Sequence, residues 1–380
     1  PTSDQQVLER LPSKAGDARA REFADLRRQL AARPDDLGLA VKLAHRYFDE
    51  VAAEGDPRYI GYAQAALRPW WDQPAPPPEV RVMRAMLRQF SHQFEPAVAD
   101  LQAAVAARPD LYEGWAWLAA IAMVQARYGD ARPACERLGV LGDPLSGTAC
   151  IAMIDATTGQ AALAVRKLAE AADAAASVPG NQPQQLWILT RLAEAHLRLG
   201  QTREAEATFR RALALGLTDG YLLAAYGDLL LDLKRPAEVL TLLRGRERSD
   251  LLLLRLAIAA RQTQAPELAS WTADLRARFD DARLRGDTVH QKEEARFARE
   301  VLGELPRALS LAVANFDVQR EPVDARVLME CALAAGQPAA ARPALEWMSR
   351  SGIESPQLQA LARQLGAPAA ALAASQGGKP

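Results

Sequence analysis

WILTRLAEAHLRLGQTREAEATFRRALALG, running from Trp187 to Gly216, holds two helices and the turn between them. In its first half Leu189, Leu192, Ala193 and His196 recur at steps of one, three and four residues, which places them on one stripe of a 3.6-residue helix. Gly200 stops that helix, because glycine enters left-handed backbone without the steric penalty other residues meet. A second stripe follows in Ala205, Phe209 and Ala212. Neither helix can bury its apolar face alone, so the two are expected to fold into an antiparallel hairpin.

The same order of residues recurs along the chain. Tyr112 to Asp143 carries Trp115, Leu118 and Ala119, then Tyr128 just past a turn, then Ala131, Cys135 and Leu138. Pro78 to Pro109 carries Ala85, Phe94, Ala97, Leu101 and Ala104, and Leu37 to Trp70 carries Leu43, Ala44, Tyr47, Gly55, Ala63 and Leu67. Turns are read at His92, Ala126, Gly159, Gly200, Lys234, Gln264, Gly303 and Gly336, which lie 34, 33, 41, 34, 30, 39 and 33 residues apart. A sustained period of this length is the mark of stacked helical hairpins.

The pattern resembles the tetratricopeptide repeat, with its large residue, Leu, small residue, turn Gly, Ala, aromatic, Ala and late Pro. Cys135 in an aromatic slot and Arg81 in an opening Trp slot depart from it. The resemblance is to bacterial members with divergent repeats. It covers Leu37 to Met348 and implies an all-α superhelical solenoid of about nine hairpins (residues 37–348). Residues 1–36 form a tail and a capping helix from Asp17 to Arg33, and residues 349–380 a capping helix from Pro356 to Leu365 and a fraying tail. Ala176 to Pro183 reads as an inserted loop, Asp280 to Asp287 as the end of a lengthened helix, and Pro74 to Pro78 as a stiff connector beside Trp70 and Trp71.

Composition narrows the function. Lys and Arg number 46 against 47 Asp and Glu, so no global field gathers a polyanion, and nucleic acid is not expected as partner. No apolar run is long enough to span a membrane; Leu251 to Ala260 is short and carries Arg255. Three cysteines, Cys135, Cys150 and Cys331, are too scattered for a disulfide framework or zinc site, so each is expected to pack as a small buried hydrophobe. No phosphate loop, nucleophile elbow or cofactor motif is present, so no catalytic residue, metal or cofactor is expected. His290 with Glu293 and Glu294 offers imidazole and carboxylates at helical spacing, the basis of an alternative reading as a metal-binding protein or enzyme. Against it, one helix supplies too few ligands, and a solvated charged face running into Lys292 and Arg296 is the expected state.

What the family resemblance implies is a non-catalytic scaffold or adaptor that holds a protein or peptide along a concave groove lined by the first helix of each pair. The positions expected there are Met86, Met123, Met153, Trp187, Glu194, Tyr221, Asp228, Glu293 and Phe297. They read as an apolar strip followed by acidic positions, suited to an apolar segment followed by basic residues. The competing reading is that several of them pack against neighbouring hairpins. The chain starts at Pro1 rather than Met, and with the resemblance to exported bacterial repeat proteins this favours a periplasmic or secreted location over a cytoplasmic one, though an odd thiol argues the other way.

Overall fold

The computed structural model describes residues 18–54, 58–142, 144–284, 286 and 288–366, apart from the side chains of residues 52–54. Gly55, Asp17, Arg285, Asp287 and the tail from Ala367 lie outside the described residues. All regular elements among the described residues are helical, and they pair into hairpins. The pairs are Leu37–Glu54 with Arg58–Ala66, Pro78–Phe90 with Phe94–Ala107, and Tyr112–Val124 with Tyr128–Leu141. Pro144–Thr157 with Ala161–Ala176, Gln182–Arg198 with Thr202–Leu213, and Gly220–Asp232 with Pro236–Leu242 follow. The last are Asp250–Thr263 with Leu268–Leu284, Gln291–Phe297 with Leu305–Val318, and Pro322–Ala334 with Arg342–Ser351. Among the described residues, no helix is long and apolar enough to cross a membrane.

Local backbone chemistry sets the period. All eight expected turn residues adopt left-handed backbone, with φ from +56° at His92 and Gln264 to +79° at Gly159. After most of them the next N–H reaches back five residues to the helix it has left, as Gln93 does to Arg88 at 2.8 Å and Gln201 to His196 at 2.9 Å, which satisfies a carbonyl orphaned at the helix end. At Gly303 the bond reaches back six, from Glu304 to Ala298, because Ala298–Leu302 is a π-helical turn carrying one extra residue per loop.

The core is a row of linked clusters. Phe23 of the flanking helix Ala18–Ala32 stacks on Tyr47 at 4.8 Å and covers the first hairpin, and Pro356–Gln364 buries Leu358 and Ala362 at the other end. Ala205, Phe209 and Ala212 are wholly buried, as their spacing requires. Arg81, which departs from the repeat pattern, joins Arg84 and Arg88 around the buried carboxylate of Asp100. Pro76 is buried and its carbonyl accepts a hydrogen bond from Arg81, consistent with a stiff connector. In Asp250–Thr263 every residue from Leu252 to Ala260 is buried, Arg255 included, because neighbouring helices enclose it on all sides.

Two expectations are overturned. Cys135 and Cys150 are not separate hydrophobes but a disulfide, with Cα atoms 5.4 Å apart, joining Tyr128–Leu141 to Pro144–Thr157. Gly139 and Gly147 explain the approach: a Cβ on Gly147 would lie 2.6 Å from the Gly139 Cα, so the two helices cross closer than bulkier residues allow. Cys331 is a buried free thiol, as expected. The charged face around His290 is not solvated either, since Glu293, Glu294 and Arg296 are all buried.

That burial follows from how the solenoid ends. Its last hairpins turn back and dock along the edge formed by the inter-helix turns. At the Ala126 turn the Arg320 N–H donates to the Val124 carbonyl at 2.8 Å, and the Trp347 indole N–H donates to the Tyr128 hydroxyl at 3.2 Å. At the Gly159 turn a Cβ would sit 3.0 Å from the Gly352 carbonyl oxygen. There the Ala161 N–H, which no intrahelical acceptor can reach, donates to Glu354 at 2.8 Å. Gly200 faces Pro356, and Asp232, beside the Lys234 turn, accepts from Arg326 and Gln357. Across the interior, Leu37–Glu54 reaches Gly220–Asp232.

Candidate functional site

On Gln182–Arg198, Arg191, Glu194 and Arg198 share one face, at steps of three and four residues. Arg191 Nη1 donates to Glu194 Oε2 and to the Tyr221 hydroxyl, both at 2.9 Å, and its guanidinium lies 4.4 Å from the Tyr221 ring. The Tyr221 hydroxyl in turn donates to Glu194 Oε1. Burial pushes the Glu194 carboxyl up, but Arg191, Arg198 and the Tyr221 hydroxyl outweigh it and hold the group below its ordinary value. The Arg198 side chain makes no hydrogen bond or ion pair among the described residues, and its Nε, like those of Arg191 and Arg255, is buried without an acceptor.

These groups line a cavity of about 110 Å³. Met123 and Met153 give it an apolar wall, Tyr128 and Arg198 a polar one, and Glu321, Pro322 and Val323 from the returning hairpins close it. Burial first, then Asp324, pushes the Glu321 carboxyl up, with Lys292 and Arg191 pulling the other way.

A second charged region, a ladder of alternating arginines and carboxylates, lines a separate cavity. Asp228 accepts from Arg255 at 2.6 Å and from Arg296 at 2.9 Å. Arg296 and Arg299 both donate to Glu300 at 2.9 Å, Arg299 and Arg326 share Glu330, and Arg326 grips Asp232 with two nitrogens at 2.7 and 2.5 Å. Four arginines thus alternate with four carboxylates. Burial opposes ionisation of Asp228, yet Arg255 and Arg296 hold it well below the usual carboxylate range.

Of the nine positions expected in the groove, Met123, Met153, Glu194 and Tyr221 come together at the cavity. Met86 and Phe297 are core residues, and Trp187 is half-buried against the central core. Asp228 belongs to the ladder, and Glu293 is buried 3.9 Å from Lys292. His290 precedes its helix with its ring 6.4 Å from Phe279, while Glu294 pairs with Arg307 and Arg283. Among the described residues no three His, Cys, Asp or Glu side chains are placed to hold a metal ion. Arg191 and Arg198 were missed by the sequence reading. Their spacing of seven residues on the helix of Glu194 was a visible signal, whereas nothing local marks Glu321, Pro322 or Val323, 123 to 132 residues further along the chain, as walls of the same site.

Comparison with known proteins supplies the family of part of the chain. Residues 145–216 match the family model described as Tetratricopeptide repeat, which takes in the hairpins Pro144–Ala176 and Gln182–Leu213 apart from Pro144. No curated protein sequence matches. Among solved structures, the APC/C hetero-tetramer Cut9-Hcn1 is similar at 13% identity with a TM-score of 0.42, over 87% of this chain and 63% of that one. This chain therefore spans less than two thirds of that protein's length. The human IFIT1 dimer with m7Gppp-AAAA is similar at 14% identity with a TM-score of 0.41, over 94% of this chain and 85% of that one. The fold class rests on the helices and turns described above rather than on these superpositions. With the same turn geometry recurring on both sides of the matched stretch, the chain is an all-helical repeat solenoid, of which residues 145–216 match the tetratricopeptide repeat.

Proposed function

We propose that this protein is a non-catalytic scaffold or adaptor that binds a peptide segment of a protein partner in its interior, at the cavity bounded by Met123, Met153, Glu194 and Tyr221. Scaffolds built on tetratricopeptide repeats generally mediate protein–protein interactions. The observation that carries the reading is the cavity itself, where an apolar methionine wall meets the donors of the Arg198 guanidinium, which have no acceptor in the protein. Such groups are costly to leave unpaired, so a site that keeps them suits a ligand or water that supplies the acceptor. A balanced charge of 46 against 47 supports a protein over a polyanion as partner.

An array of random decapeptides tests this. The native protein is expected to retain a subset of sequences, and Met153→Glu or Tyr221→Ala to lose that subset while remaining folded by circular dichroism. Retention indifferent to both substitutions, or no retention, would remove the interior as the site.

For location we propose the periplasm or the outside of a bacterial cell, supported by the Cys135–Cys150 disulfide, which persists in oxidising compartments. Thiol titration of denatured, unreduced protein from its native host is expected to find one thiol. Three would favour the cytoplasm.

A further inference from the structure

Arg198 differs from Arg255, Arg296, Arg299 and Arg326, and from Arg191, in having no carboxylate within ion-pair distance; Glu194 reaches it only electrostatically. It lies seven residues beyond Arg191, about 10.5 Å along the same helix at 1.5 Å per residue, and both Nε–H groups are buried without acceptors. Resting on the proposed use of the interior as the partner site, we infer that the cavity receives an acidic side chain, aspartate or glutamate, of the bound partner, with Arg198 as its counter-ion. This reverses the polarity expected from the sequence, which read the acidic positions as free to attract basic residues.

Charge complementarity carries the assignment. The acidic positions are already taken: Glu194 holds Arg191 and Tyr221, and Asp228 holds Arg255 and Arg296. Glu321 faces the space from the opposite wall, but Lys292 and Arg191 stand within electrostatic reach of it. The open capacity is for donation. Arg198 offers its guanidinium, and Tyr128, whose oxygen accepts from Trp347, keeps its own proton to give. A carboxylate is the acceptor that makes the strongest hydrogen bonds with such donors. Size agrees, because about 110 Å³ has room for a carboxylate side chain, while Met123 and Met153 offer contact to its methylenes.

The probe is an array of N-acetylated, C-amidated decapeptides, so that only side chains carry charge, with a parallel set bearing free C-terminal carboxylates. Retained capped peptides are expected to be enriched in Asp or Glu at one position. Replacing that residue by Asn or Gln, or making Arg198→Gln in the protein, should weaken binding about tenfold or more. Arg198→Lys, which keeps the charge but loses the Nε–H and the fork, should recover only part of it. Because Arg198 makes no side-chain hydrogen bond or ion pair in the protein, both variants are expected to melt close to the native protein, and circular dichroism checks this. Retention of capped peptides without acidic enrichment, or equally by Arg198→Gln, overturns the inference while leaving the interior as partner site. Enrichment in Lys overturns it in favour of Glu321. Retention only of free C-termini overturns it in favour of a terminal carboxylate. No retention in either set overturns both readings.

Discussion

Two charged regions line separate cavities of this fold, and they differ in how completely their carboxylates and guanidinium groups are paired. Between Arg255 and Asp232 every guanidinium in the alternation meets a carboxylate, and every carboxylate meets a guanidinium. Around Arg198 the pairing stops one partner short. A buried charge pair stabilises little over an apolar replacement, but removing one member leaves an uncompensated charge. The closed ladder therefore reads as a device that sets how the last hairpins sit on the middle ones, and the open group as the part left for something else.

Stability should separate them. Asp228→Ala strips the shared acceptor from Arg255 and Arg296 and should cost about 3–5 kcal/mol in urea unfolding, whereas Arg198→Gln should cost about 0.5 kcal/mol or less. Equal losses would break the contrast. Acid should sharpen it. Asp228 is held below its unfolded value, so its contribution is present above the ordinary aspartate range and lost as pH falls through the folded value. Asp228→Asn should flatten the fall in stability below about pH 4, and Arg198→Gln should leave that limb in place. A steep limb in Asp228→Asn would assign acid sensitivity to other carboxylates.

The disulfide tests whether the apolar wall of the cavity is held independently of the ladder. Met123 and Met153 sit on helices flanking Tyr128–Leu141, to which Cys150 is tied. Replacing both cysteines by alanine should cost about 3 kcal/mol for a loop of 15 residues. Hydrogen exchange should then quicken in residues 112–176 before it does in the ladder. Uniform quickening would mean that the two regions form one cooperative unit.

What could be read in advance was what depends on neighbours in sequence. The eight turns were legible, four without glycine, because the apolar stripes on either side leave room for a reversal at one point only. The flanking helices and the inserted loop were legible for the same reason. Cys135 and Cys150 were not, since their pairing depends on Gly139 and Gly147 meeting across two hairpins. Nor were the fates of Met86, Phe297, Asp228 and Glu293. A stripe shows which face of a helix is apolar or charged, but not that Arg296 stands 68 residues away to claim Asp228, or that the chain returns to cover the interior.

That return also limits how such a chain can change over generations. An open solenoid can gain or lose a hairpin at little cost, because each unit touches only its neighbours. Here Glu354 must arrive at the amide of Ala161, Pro356 at Gly200, and Arg326 and Gln357 at Asp232, each at its own step along one edge. Duplicating or deleting a unit between residues 161 and 351 would shift all of these meetings at once. The docked end works as a ruler against which the number of repeats is measured, so the length of this array is inherited as a single character.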